Sequence, residues 1–189
     1  MNISYNQRYK ETEDYIKTAF LRMLTKKEYN KISVKDICSE AGINRSSFYS
    51  HYVSINELIM QYENDMADKI VKIFTADGAD GSYNQQTFEK LFEFVGQNRV
   101  FYKAYLVANN SVFMERNIFG RFKGSLTRFA ASKGELLNAT QMDYRMCFFG
   151  AGLKAICQRW LESGCKESPS QMSAILSQEY NNKMIPNSK

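Results

Sequence analysis

Eleven residues, Asn44 to Ser54, hold four serines, two tyrosines, an arginine and the only histidine of a 189-residue chain. These side chains supply hydrogen-bond donors, one fixed charge and two amphipathic rings, the groups needed to read the edges of a polyanion. Arg45 offers a planar fork of donors that matches the acceptor pair of guanine. Ser46 and Ser47 offer short hydroxyls to bases or phosphates. Tyr49 offers a ring for a thymine methyl and a hydroxyl for a phosphate. His51 and Tyr52, at the end of the stretch, fall where a sugar–phosphate backbone would run. Asn44 heads it as a helix N-cap, its side-chain oxygen accepting from a backbone amide of the first turn.

Other chemistries find little to work with. With one histidine, no readable carboxylate pair, no nucleophile elbow and no phosphate-cradling glycine loop, the chain is not expected to be an enzyme. The four cysteines, Cys38, Cys147, Cys157 and Cys165, form no C-x-x-C pair and lie far from His51 in sequence. Neither a metal nor another cofactor is therefore expected, and idle thiols are a plainer reading than a redox pair of Cys157 and Cys165. Net charge is +5, but residues 1–60 hold nine basic against seven acidic side chains, and residues 61–189 sixteen against thirteen. Neither part is a basic tail, so a nucleic-acid site must come from the placement of a few residues. No apolar run reaches the roughly 18 residues of a membrane span. The start, MNISYNQRYKETEDY, is polar and lacks an apolar signal core. A cytoplasmic protein without membrane contact is expected.

The elements around the polar stretch read as helices throughout. From about Arg8 to Lys27, Tyr9, Ile16, Ala19, Phe20, Met23 and Leu24 recur at helical spacing. Ser33 and Asp36 form a capping box for a short helix, Val34 to about Glu40, which Gly42 stops because glycine enters the left-handed conformation without steric cost. Asn44 starts a second short helix, Arg45 to about Tyr52. Ser54 and Glu57 open a long one through Leu58, Tyr62, Met66 and Ile70 to Phe74. TADGADGSYNQQ, residues 75–86, breaks the pattern. Further helices follow: one after Thr87, one from Arg99 to about Ala108, one or two across residues 111–132, one capped by Thr140 with Asp143, and a last one started by Ser168, Pro169 and Gln171.

Two helices so short cannot stand alone. Joined through AGIN and packed across the first and fourth helices, they make a helix-turn-helix, in which the second short helix enters the major groove of duplex DNA. The expected architecture is all-α: a three-helix head, residues 1–60, a long linking helix, and a C-terminal helical domain, residues 61–189.

ISVKDICSEAGINRSSFYSHYVSINELI, preceded by AFLRMLTKKEYNK, resembles the DNA-binding head of the TetR/AcrR family of bacterial transcriptional regulators. FFGAGLKAICQRWLESGCKESPSQMSAIL more loosely resembles the C-terminal domain of one TetR subfamily. The resemblance implies a homodimer that binds double-stranded operator DNA and usually represses transcription until a small effector releases it. It places DNA contacts on Lys35, Arg45, Ser46, Ser47, Tyr49 and His51, with Ser33 near phosphate. One departure stands out: many members carry a lysine just before the fourth helix, where this chain has Ile55.

In such proteins the effector sits inside the C-terminal domain. Phe88, Phe92, Phe101, Tyr102, Tyr105, Phe113, Phe119 and Phe122 fall in the helices that would surround it, with Phe92, Tyr102, Tyr105, Phe113 and Phe122 the candidate lining. Aromatics at this spacing also fill cores, and that reading stays open beside the other. Met142, Met146, Phe149, Leu153, Ile156 and Trp160 recur at alternating spacings of four and three, a seam like that of packed helix pairs. With Met172, Ile175 and Leu176 of the last helix, it would form a four-helix bundle across a dimer axis. The competing function is a helical protein–protein interaction module without an effector, which would explain the helices but not the arginine-led polar face.

Overall fold

The computed structural model describes residues 3–75, 84–107 and 138–184. Among the described residues the regular structure is helical throughout, with no strand. The chain divides into two compact units, Met1–Asp65 and Met66–Lys189, the boundary falling inside one long helix.

In the first unit α1 (Ile3–Leu24) packs on α2 (Val34–Ala41), and α2 on α3 (Arg45–Tyr49). The fourth helix, α4 (Ile55–Thr75), begins in this unit and crosses its boundary. The core is built from one stripe of each: Ile16 and Phe20 of α1, Ile37 of α2, Phe48 of α3 and Leu58 of α4 are fully enclosed. Each such side chain, taken out of water, stabilises the unit by roughly 1.5–3 kcal/mol. That burial, not helix propensity, is what allows elements of eight and five residues to persist.

Local chemistry sets the ends. The Ser33 hydroxyl accepts from the Asp36 amide at 3.3 Å while the Asp36 carboxylate accepts from the Ser33 amide at 3.0 Å, the expected reciprocal box. Gly42 ends α2 in the left-handed region at φ 68°. At the start of α4 the Glu57 amide donates to Ser54 as expected. The Glu57 carboxylate, however, takes the amide of Val53 (2.6 Å) rather than that of Ser54. α3 is shorter than its pattern suggested. The His51 and Tyr52 amides both donate to the carbonyl of Phe48 at 3.0 Å, which tightens the last turn and ends the helix at Tyr49. α1 is longer, beginning at Ile3 instead of near Arg8.

In the second unit α5 (Gln85–Gln97) packs along α8 (Pro169–Met184), and α6 (Arg99–Val107) along α7 (Ala139–Glu162). α5 is capped by Asn84 and α7 by Asn138, the latter replacing the expected Thr140 cap two residues earlier. The expected helices over residues 111–132 lie outside the described residues. Phe88, Leu91, Phe92, Phe101, Tyr102, Tyr105, Trp160 and Leu176 are buried together.

The turn at Gly42 gives a direct test. A Cβ there would meet nothing within 4 Å, so the only cost of a side chain is its backbone conformation. Gly42→Ala should destabilise the head by about 1–2 kcal/mol in urea unfolding, and Gly42→Asn by less, because asparagine tolerates this conformation.

Candidate nucleic-acid interface

The first helix-turn-helix residue to place is Asn44. Its Oδ1 accepts from the Ser47 amide and the Ser46 hydroxyl, both at 2.7 Å, so the side chain is committed to starting α3. Ser46 is exposed and Ser47 half-buried. The Ser50 hydroxyl donates to the Ser47 carbonyl at 2.8 Å. The Ser46 and Ser50 hydroxyls therefore serve the local backbone and cap first. Ser33 is exposed but likewise engaged, its hydroxyl donating to Asp36 at 2.7 Å.

Arg45, Lys35 and Tyr49 are the outward-facing candidates on the two short helices. All three are exposed, Tyr49 to 52%, although its edge packs against the buried ring of Phe48. Neither cation takes part in an ion pair among the described residues, in contrast to their neighbours. Lys17 bridges Glu13 (2.8 Å) and Asp65 (3.0 Å), Arg22 and Lys26 share Glu40 (3.7 and 2.6 Å), and Lys27 holds Asp36 (2.7 Å). Lys31 pairs with Glu28 at 3.0 Å. The hydrogen bond from Lys27, then those from Ser33, pull the Asp36 carboxyl down to about 2. Partial burial works against charge on Lys17, but hydrogen bonds to Glu13 and Asp65 more than offset it and hold its ammonium above the ordinary range.

The end of the stretch differs from expectation. Tyr52 is only 2% exposed and its hydroxyl is enclosed without a hydrogen-bond partner, so it belongs to the core of the head and cannot meet a DNA backbone. Burial pushes its phenol well above its usual range. His51 is half-buried, its imidazole stacked on Tyr9 of α1 with ring centroids 3.8 Å apart. Its Nδ1 is enclosed without a partner, which leaves Nε2 as the outward nitrogen. The Tyr9 hydroxyl donates to the Ser50 carbonyl at 3.3 Å. Sequence reasoning placed Tyr9 on the inner stripe of α1 but missed this tie. The available signal was its seven-residue spacing from Ile16, which puts both on one face.

Two family models match. One, described as bacterial regulatory proteins of the tetR family, covers residues 17–61. The other, a transcriptional regulator C-terminal region of TetR type, covers residues 84–182, more than half of the chain. The chain belongs to the TetR family of transcriptional regulators. The HTH-type dhaKLM operon transcriptional activator DhaS of Lactococcus lactis is 30% identical over 101 residues, 53% of this chain and 51% of that protein. The chain thus spans about half the length of this curated relative. A TetR-family regulator from Syntrophomonas wolfei superposes with a TM-score of 0.72 at 16% identity, covering 94% of this chain and 97% of that one. A TetR regulator from Streptococcus agalactiae gives 0.64 at 19% identity, with the same coverage of each chain. At such identities the structures show a shared fold.

The TetR-type second unit holds the remaining sequence candidates. Phe92, Tyr102 and Tyr105 are buried core residues, and Phe113 and Phe122 lie outside the described residues. Phe101 stacks on Tyr105, and Phe92 meets Trp160 edge-on at 5.2 Å. Along α7, Met146, Leu153 and Ile156 are half-buried, and nothing is described of the Phe149 side chain. Trp160 is 3% exposed and its Nε1 donates to the Glu167 carbonyl at 3.0 Å. It is therefore spoken for within its own unit and drops out of the expected dimer seam. The outward apolar stripe of α7 runs instead through Tyr144, Phe148, Ala151 and Ala155, with Ile175 exposed on α8. It has the same alternating spacing, displaced by two residues. Among the described residues no group of three His, Cys, Asp or Glu could hold a metal. Cys157 is buried, and burial raises its thiol to about 12.

His51 carries a pH prediction. Burial lowers its pKa, while the Glu13 charge partly opposes the shift. Stability from the neutral ring is complete above the ordinary value of about 6.5 and is lost as pH falls below it, because the unfolded chain protonates first. As the only histidine, His51 gives a single Hε1 resonance to follow in a proton NMR titration. Its midpoint should lie below that of the unfolded chain in urea.

Proposed function

We propose that the chain binds operator DNA as a homodimer and represses transcription until a small effector releases it. One observation carries the DNA-binding half: Lys35 and Arg45 stand exposed and outside any described ion pair, beside exposed Tyr49, on the helix-turn-helix of a TetR-family chain. In this reading Arg45 and Tyr49 read base edges. Lys35, Ser33, Ser46 and Ser47 meet phosphates and neighbouring bases, and His51 offers Nε2 to the backbone. Asn44 contributes by capping the helix that presents them. Such a regulator works in the cytoplasm, beside the chromosome, and needs no catalytic group.

A single helix of this size covers few base pairs, so specificity calls for two heads on a near-palindromic site. The apolar stripe of Tyr144, Phe148, Ala151, Ala155 and Ile175 suits a two-fold contact. Half-buried Met146, Leu153 and Ile156 would support it from behind. Phe92, Tyr102 and Tyr105, buried in the second unit, are the described candidates for the effector half, and an aromatic lining would suit a hydrophobic or planar molecule. A second reading, activation, is favoured by the name of DhaS, a transcriptional activator. A reporter fused to the selected operator separates the two by whether deletion of the regulator raises or lowers expression.

Two variants test the rest. Arg45→Ala should fold normally and weaken binding to a duplex selected from a random pool by about 1–3 kcal/mol, with relaxed selection at one position. Equal affinity and selectivity would refute the recognition face. Phe148→Glu places a charge in the outward stripe and should shift sedimentation from dimer to monomer. A wild-type chain that is already monomeric at micromolar concentration would remove the dimer from the proposal.

A further inference from the structure

Among the described residues, the nine basic side chains of positions 1–60 fall into two groups: five are tied to carboxylates at 2.6–3.7 Å, and four take part in no described ion pair. Two of the four, Lys35 and Arg45, belong to the face already described. The other two, Arg8 and Lys10, lie on the second and third turns of α1 and are exposed. The acids near them in sequence are engaged elsewhere or apart. Glu11 accepts from Gln7 at 3.2 Å, Glu13 pairs with Lys17 at 2.8 Å, and no described ion pair joins Lys10 to Asp14.

Arg8 and Lys10 flank Tyr9, whose ring stacks on His51 and whose hydroxyl holds the Ser50 carbonyl. Successive helical residues project about 100° apart, so the two cations stand on either side of a contact that ends on the turn closing the recognition helix. This part of α1 precedes residue 17, where the match to the TetR head begins. The walls of the groove that receives a recognition helix are phosphates, and an unpaired arginine or lysine beside it neutralises them and releases counterions. We propose that the start of α1 is a second phosphate-binding point of the head, in which Arg8 and Lys10 meet the operator backbone and Tyr9 is the positioning residue that holds them beside the recognition helix. The proposal rests on the DNA-binding reading given above.

The test is the salt dependence of binding, measured on the duplex that the wild-type chain selects from a random-sequence pool and on a mixed-sequence duplex. The double variant Arg8→Ala/Lys10→Ala should weaken both alike, keep base selectivity, and flatten the log–log salt slope by about 0.9 for each phosphate that is no longer neutralised. Tyr9→Ala should flatten the slope in the wild-type background and add nothing in the double variant. Lys69→Ala, which removes an exposed cation of the second unit, should leave the slope unchanged. An unaltered slope in the double variant, or equal flattening by Lys69→Ala, overturns the proposal. A Tyr9→Ala slope equal to wild type overturns the positioning role. Arg45→Ala is run alongside. If it relaxes selection while the double variant changes nothing, the second phosphate-binding point alone falls; if it too changes nothing, the DNA-binding reading falls and takes this proposal with it.

Discussion

The enclosure of Phe48 between the helices of the head is the contact on which the recognition surface depends, because α3 has five residues and no stability of its own. With its buried ring fixed, the remaining directions of the helix are set. Arg45, Ser46 and Tyr49 are turned outward, while Tyr52, four residues after Phe48, is drawn into the same core. Asn44 fixes the start of the helix and the doubled bond to the Phe48 carbonyl fixes its end. The polar face is thus a consequence of apolar packing one side-chain length beneath it.

Which parts of this were legible in the sequence follows from the range of the forces involved. Caps and turns act over three or four residues, so Ser33 with Asp36, Gly42 and Asn44 could be read from their neighbours and stand where they were expected. The inner stripe of α1 is likewise a local periodicity. The misreadings of Tyr52 and His51 involve partners distant in sequence. Tyr52 has a hydroxyl that suggests solvent, and only the convergence of the helices shows that it is enclosed. Nothing near His51 announces Tyr9, 42 positions earlier, as the ring it stacks on. Along α7 two apolar stripes share one spacing, and periodicity cannot say which faces inward. Trp160, held by Phe92 and the Glu167 carbonyl, decides it.

The ion pairs of the head have a role that their strength does not suggest. Exposed pairs contribute about 0–1 kcal/mol each, too little to account for the fold beside several buried aromatic and aliphatic side chains. Their larger effect is on the field. Glu40 and Asp36 draw Arg22, Lys26 and Lys27 into local pairs, which leaves these cations less able to attract phosphate. A unit of nearly balanced charge can then still leave individual cations, Lys35 and Arg45, outside the described ion pairs. Composition averages over that separation, which is why it is a poor guide here to nucleic-acid binding.

The same separation bears on His51. A charged imidazole would add to the positive face, but it would also place a second N–H at the enclosed Nδ1, where no acceptor stands. Glu13 lies close enough to favour the charge, yet it also pairs with Lys17 at 2.8 Å, so its field is largely compensated. The neutral ring is the one the site accommodates, with Nε2 outward as a hydrogen-bond donor. His51 then contributes direction instead of charge to the end of the recognition helix. In the proposed interface Arg45 and Lys35 would supply the attraction, and a neutral His51 would add register.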